Sequence, residues 1–309
     1  MTRRWILPSY DGIDAIEIEQ TEAGSPGAGE VAVRATAIGV NPSDAKSLSG
    51  GWNADPSKLP LPIGQELAGV VTAIGPDVTG FSVGDPVVVW KIAGAFATEV
   101  IAPATEVFPL PAGLDPVMAG GLLHVAATAY DLLHLVDPAE GATLLVHGAS
   151  GSVGVCVLQL AALRGIRVIG TSSEANFDKV RSFGAEPVAY GNGLADRVRA
   201  LAPDGVDVAI DAAGTDEALA VSRELVDDPA RIATVAPGRA AQEAGVKVSA
   251  GMSPASIAVR MPARAELLRL AGEGRLTVPV ARTVPFDDAQ EALRLVAGGH
   301  PGGKVVLVP

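Results

Sequence analysis

The chain has 309 residues, too many for one ordinary core and enough for two domains of common size. Hydrophobic residues make up 48% and charged residues 19%, which excludes general disorder. The formal net charge of −12 disfavours nucleic acid and anionic lipid as partners.

The N-terminus, Met1 to Pro8, carries Arg3 and Arg4 with no long apolar run behind them, so it does not read as a signal peptide. No stretch approaches the length of a membrane span, and a cytoplasmic location is expected. The first third reads as β structure. Short apolar runs at Val31–Ile38, Leu67–Ile74, Val87–Trp90 and Phe96–Ala102 are separated by turn signals such as Gly75-Pro76-Asp77 and Gly84-Asp85-Pro86. Frequent turns and few helical periods predict a small barrel or sandwich.

From Pro116 the pattern changes to alternating strands and helices. Strands are expected at Thr143–His147, Arg167–Gly170, Val206–Asp211 and Arg231–Val235, and helices at Ser152–Arg164 and Glu174–Phe183, the latter closed by Gly184. Near-continuous apolar strands alternating with helices predict a parallel sheet covered on both faces. The tail adds helices at Pro262–Glu273 and Asp287–Ala297 and a closing strand at Lys304–Val308, and is expected to return to the first domain.

The strongest local signal runs from Leu144 to Gly154. A buried strand enters the small-residue turn Gly148-Ala149-Ser150-Gly151, which opens a helix at Ser152-Val153-Gly154. A dinucleotide site needs this order. The backbone must approach the diphosphate closely, and the helix N-terminus then offers N–H groups and a positive dipole end. Ala149 replaces the first glycine of the G-x-G-x-x-G pattern, while Gly151 and Gly154 keep the other two. The second strand ends in Thr171-Ser172-Ser173, hydroxyls where NAD sites usually place a carboxylate. That favours NADPH over NADH, with Lys179 as a phosphate contact; Glu174 is the residue that fits NAD instead. Thr171 and Glu174 also have capping-box spacing.

Several ordered blocks resemble the zinc-free quinone oxidoreductase (ζ-crystallin-like) branch of the medium-chain dehydrogenase/reductase superfamily. They are Gly39-Val40-Asn41-Pro42-Ser43-Asp44, Pro62–Val71, Val78–Asp85, Gly94–Glu99, the turn Gly148–Gly154 and Gly302–Leu307. The resemblance implies an α/β chain. A GroES-like β-barrel catalytic domain over 1–115, completed by 257–309, would accompany a Rossmann doubly wound parallel sheet domain over 116–256. It implies NADPH-dependent reduction of a small quinone or α,β-unsaturated carbonyl, and commonly a homodimer. An enoyl thioester reductase, or a weakly catalytic NADPH-binding sensor or scaffold, is the alternative.

By the same resemblance Asn41 faces the substrate and Lys46 stands where many members have Tyr. Thr128 lies near the nicotinamide, Tyr190 near the adenosine phosphate, Ala213 at a strand tip over the ribose, and Ala236 and Met252 at the nicotinamide end. The plainer roles are a turn for Asn41 and a solvated surface residue for Lys46. Zinc-dependent relatives place Cys where this chain has Asn41 and His where it has Gln65. Amides are poor zinc ligands, the chain has one cysteine, Cys156, and no metal is expected.

Overall fold

The computed structural model describes residues 1–309 except Ala23, Gly51, Trp52, Asn53, Met252 and His300, so the expectation for Met252 at the cofactor lies outside the described residues. Two compact units form: Met1–His124 with Thr277–Pro309, and Val125–Leu276.

The first unit is built on two sheets. A seven-stranded sheet runs Val280–Pro285, Lys304–Val308, Glu30–Val40, Glu66–Ile74, Pro86–Trp90, Val107–Pro109, and Glu99–Pro103 pairs with Glu30–Val40 off this path. A three-stranded sheet orders Glu17–Thr21, Thr2–Leu7 and Leu61–Pro62. Glu30–Val40, 11 residues long, is the spine. Its early half pairs antiparallel with Glu99–Pro103 and its last residues with Lys304–Val308, Val305 opposite Val40. Alternation places Val31, Val33 and Ala35 in the core, and after a register irregularity between Ala35 and Ala37 Ile38 joins them, beside Leu67, Val87, Val89, Phe96, Val305 and Leu307. This is the GroES-like barrel.

The second unit holds a six-stranded parallel sheet in the order Glu186–Ala189, Arg167–Ser172, Thr143–His147, Val208–Asp211, Ile232–Thr234, Lys247–Val248. Numbered along the chain, that order is 3-2-1-4-5-6, the doubly wound Rossmann arrangement. The first strand sits at the centre because both its faces are apolar: Leu144, Leu145 and Val146 are fully buried. Its order reverses between the first and fourth strands, and the turn Gly148–Gly151 leaves the sheet at that switch point. No helix among the described residues is long and apolar enough to cross a membrane.

Three local expectations are corrected. The tail helix spans Pro254–Gly272, with Pro262 inside it rather than at its start. Ser253 caps it by accepting from the Ser256 N–H and Pro254 occupies its first turn, a stronger start signal than a mid-helix proline. The segment expected as one helix over Glu174–Phe183 is a 3-10 turn, Glu174–Asn176, followed by helix Phe177–Ser182. The run Phe96–Ala102 is extended only from Glu99, as strand Glu99–Pro103.

Candidate functional site

The phosphate-type turn is held from beneath by the second strand. Ala149 N–H donates to the Thr171 carbonyl at 3.0 Å, and Gly148 N–H donates to Thr171 Oγ1 at 3.2 Å. Thr171 is therefore a buried strand residue that grips the turn, not the cap of a capping box; the following 3-10 turn has Ser173 as N-cap with no side-chain cap bond. The Lys179 ammonium donates to the Ser150 carbonyl at 2.8 Å, and its half-burial lowers its pKa from the usual lysine value. A cation is thus tied to the turn itself.

Gly151 caps helix Ser152–Ala162 without a side-chain bond, so the first-turn amides of Ser152, Val153 and Gly154 face outward as donors. A β-carbon on residue 154 would strike the Gly148 carbonyl and stand 2.8 Å from Ala149 Cα, so glycine is required for the helix to start this close to the turn.

At the fourth strand's end Asp211 is buried. Its Oδ1 accepts from the Ala213 and Gly214 amides at 2.9 and 2.8 Å, and its Oδ2 from Thr234 Oγ1 at 2.8 Å. Thr234 Oγ1 also accepts from the Ala236 amide, which brings Ala213 and Ala236 to neighbouring strand tips. Ser172 is buried, with its hydroxyl donating to the Ser173 carbonyl, and Ser173 Oγ accepts from Asn176 Nδ2. Thr128 is buried in helix Leu123–Val136, and Tyr190, half exposed, directly follows the third strand Glu186–Ala189. The unit therefore brings the turn, Thr171 and Lys179 into direct contact.

His147, last residue of the first strand, is buried and its Nε2 makes no hydrogen bond among the described residues. Burial pushes its pKa down to about 4, against the pull of Asp211 and Glu217.

In the barrel unit Asn41 caps helix Pro42–Ser47. Its N–H donates to Asp44 Oδ2 at 2.9 Å, and its backbone carbonyl accepts from the Asp44 N–H at 3.0 Å in return. Its amide also enters a buried polar cluster. Nδ2 donates to Glu66 Oε1 at 3.0 Å, and Oδ1 accepts from the Lys304 ammonium at 2.5 Å. Lys304 donates to Glu66 Oε1 at 2.8 Å as well, and the His124 amide donates to Glu66 Oε2 at 2.9 Å. Asp44 Oδ1 accepts from Gln65 Nε2 at 3.0 Å, and that amide also reaches Ser43 Oγ.

Burial would raise the Glu66 carboxyl, but the Lys304 charge, then His124, outweighs it and holds the group below its ordinary range. Burial pushes the Asp44 carboxyl up to about 6, against the hydrogen bonds from Gln65 and Asn41 and the Lys304 charge. Lys46 is exposed on the last turn of the short helix, outside this cluster. Lys304 and Glu66 were not singled out from sequence as site residues. The available signal was a lysine opening the otherwise apolar strand Lys304-Val305-Val306-Leu307.

The donor set does not fit zinc. Asn41 and Gln65 are amides, an ammonium already lies on Asn41 Oδ1, and Cys156 is buried in a helix of the other unit. Among the described residues no cluster of three or more His, Cys, Asp or Glu could hold a metal.

Residues 27–112 match the alcohol dehydrogenase GroES-like domain family, and 183–307 match the zinc-binding dehydrogenase family. A 2-haloacrylate reductase from Burkholderia is 31% identical over 98% of this chain and 98% of its own length. The chain belongs to the quinone oxidoreductase-like branch of the medium-chain dehydrogenase/reductase superfamily. A mycobacterial quinone oxidoreductase structure, 29% identical, superposes with a TM-score of 0.80 over the whole of both chains. The mycobacterial Rv1454c structure, solved in complex with NADPH, is 28% identical with a TM-score of 0.84, again over both chains. The chain spans about half the length of the synaptic vesicle membrane protein VAT-1 homologs it also matches: 53% of the rat protein, at 32% identity over 68% of this chain.

Proposed function

We propose that the chain is an NADPH-dependent, zinc-independent reductase of quinones or α,β-unsaturated carbonyls. The observation that carries this is the turn Gly148–Gly154, which sits at the switch point of a 3-2-1-4-5-6 sheet with Lys179 bonded to it. Its residues fit a dinucleotide: a small-residue backbone, three outward amides and a cation. The second strand ends in Thr171-Ser172 hydroxyls, and Glu174 is exposed on the following turn, which favours the phosphorylated cofactor. The NADPH complex of the mycobacterial relative and the acrylate substrate in the Burkholderia relative's name support the same reading.

Bound NADPH supplies a hydride. The amides of Ser152, Val153 and Gly154 would hold its diphosphate, with Lys179 adding charge. Reduction of an enone or quinone builds negative charge on the carbonyl oxygen, which a fixed N–H donor stabilises. We assign that donor to the Asn41 side-chain amide, whose Nδ2 also donates to Glu66, and water supplies the proton. Zinc is unnecessary because charge appears on an oxygen remote from the carbon that receives hydride.

The working species is a cytoplasmic homodimer acting on a small molecule. The test is oxidation of NADPH and NADH with a quinone, an enal and a crotonyl thioester, before and after chelator treatment. Quinone- or enal-dependent oxidation of NADPH that survives the chelator is expected. Turnover only with the thioester makes it an enoyl thioester reductase. Tight NADPH binding with no turnover makes it a sensor or scaffold. Sedimentation reads the dimer.

A further inference from the structure

Lys304 is an unusual residue to bury. It opens a strand in the barrel sheet, is 2% exposed, and sits beside a glutamate that is fully buried. Replacing such pairs by apolar residues is often neutral or stabilising, so the pair is poorly explained by stability alone. The backbone also makes room for it. A β-carbon on Gly121 would stand 2.6 Å from Lys304 Cε and Cγ, and one on Gly39 would stand 2.6 Å from Glu66 Oε1.

The two charges act on one amide. An ammonium has only donors, so the Asn41 atom facing Lys304 must be the oxygen. A carboxylate has only acceptors, so the atom facing Glu66 must be the nitrogen. Both neighbours therefore enforce the same rotamer of an otherwise reversible side chain, at 2.5 and 3.0 Å. One N–H of Asn41 is taken by Glu66, and the other is left pointing in a single direction.

We infer that Lys304 is a positioning residue: with Glu66 it locks the Asn41 amide so that its second N–H is presented to the substrate oxygen. This rests on the reductase reading above. The lock works through geometry that a neutral pair of similar volume does not reproduce, since Met has no donor and a Gln amide can face Asn41 with either end.

The test compares Lys304→Met, Glu66→Gln, the double variant and Lys304→Arg in the full chain, reading melting temperature, NADPH affinity, kcat and KM with a quinone. Each single variant leaves one buried charge unpaired and melts earlier. The double variant regains the melting temperature, and its NADPH affinity stays within about twofold of the starting protein. Its kcat nevertheless stays down by about 100-fold or more, the scale of losing one oriented oxyanion donor. Lys304→Arg retains the charge and the donor and recovers part of kcat. A double variant that recovers kcat together with stability overturns the inference. So does an Arg variant no better than Met at equal stability. Should the starting protein turn over nothing, the reductase reading fails, and the side-chain amide of Asn41 decides the inference. Slow hydrogen exchange of that amide by NMR, lost in the double variant, upholds it; protection unchanged in the double variant refutes it.

Discussion

The carbonyl oxygen of Gly148 occupies the space that a β-carbon on Gly154 would need. Substituting Gly154→Ala forces the helix start away from the turn and spreads the donor amides. Overpacking of this kind costs about 1–3 kcal/mol, and displaced phosphate donors weaken NADPH about tenfold or more. A fluorescence titration with a parallel thermal melt checks both; unchanged affinity would remove the turn from the cofactor site.

Asp44 gives the barrel unit a pH dependence of definite sign. Its carboxyl is raised from 3.8 to about 6, so between those values the folded state holds a proton that the unfolded chain has released. Its contribution is largest below pH 4, falls as pH rises toward 6, and is flat above. The span is about 3 kcal/mol. Asp44→Asn is expected to erase that slope, measured as the difference in urea unfolding between pH 4 and 7.

His147 gives the Rossmann unit the opposite slope. Its pKa drops from 6.5 to about 4, so the unfolded chain takes up protons first as pH falls. Stability is complete above pH 6.5 and declines through pH 4, again by about 3 kcal/mol. His147→Leu, which removes an unbonded buried nitrogen, is expected to flatten this acid limb. Thermal melts at pH 4.5 and 7 decide it: an acid loss equal to that of the parent would sink the assignment.

Arg260 and Asp131 form a buried ion pair at 3.0 Å, joined by Ser249 Oγ, which donates to Asp131 at 2.7 Å and accepts from the guanidinium. Burial lowers the Arg260 pKa against the pull of Asp131. Arg260→Met strands a carboxylate in the core and should cost about 3–5 kcal/mol, whereas adding Asp131→Leu recovers much of the loss. Chemical denaturation of both variants measures this.

What the sequence disclosed was local. The turn after Thr143–His147 was legible because strand, small residues and helix follow one another without a gap, and the resulting backbone is dictated by those neighbours. The central strands were legible because three consecutive apolar residues leave no polar face. Thr171 misled because its spacing to Glu174 fits a cap equally well, and only the folded turn, whose Gly148 N–H donates to its hydroxyl, shows the other role. Pro262 misled because proline is a start signal, yet Ser253-Pro254 eight residues earlier supplies a better one. The cluster at Asn41 was hidden for a different reason. Lys304 and Glu66 lie 238 positions apart, and each alone reads as a solvated charge. Their burial is a product of strand pairing, which no local pattern encodes.

The barrel's spine strand meets its partner Lys304–Val308 only once residues 304–308 have been made. During synthesis residues 125–276 are contiguous and emerge together, free to close their own core, while the earlier segment waits for a strand not yet made. The nascent chain therefore completes its middle before its beginning. A ribosome stalled short of residue 304 would display a finished nucleotide fold alongside an open sheet edge, a target for chaperones or proteases.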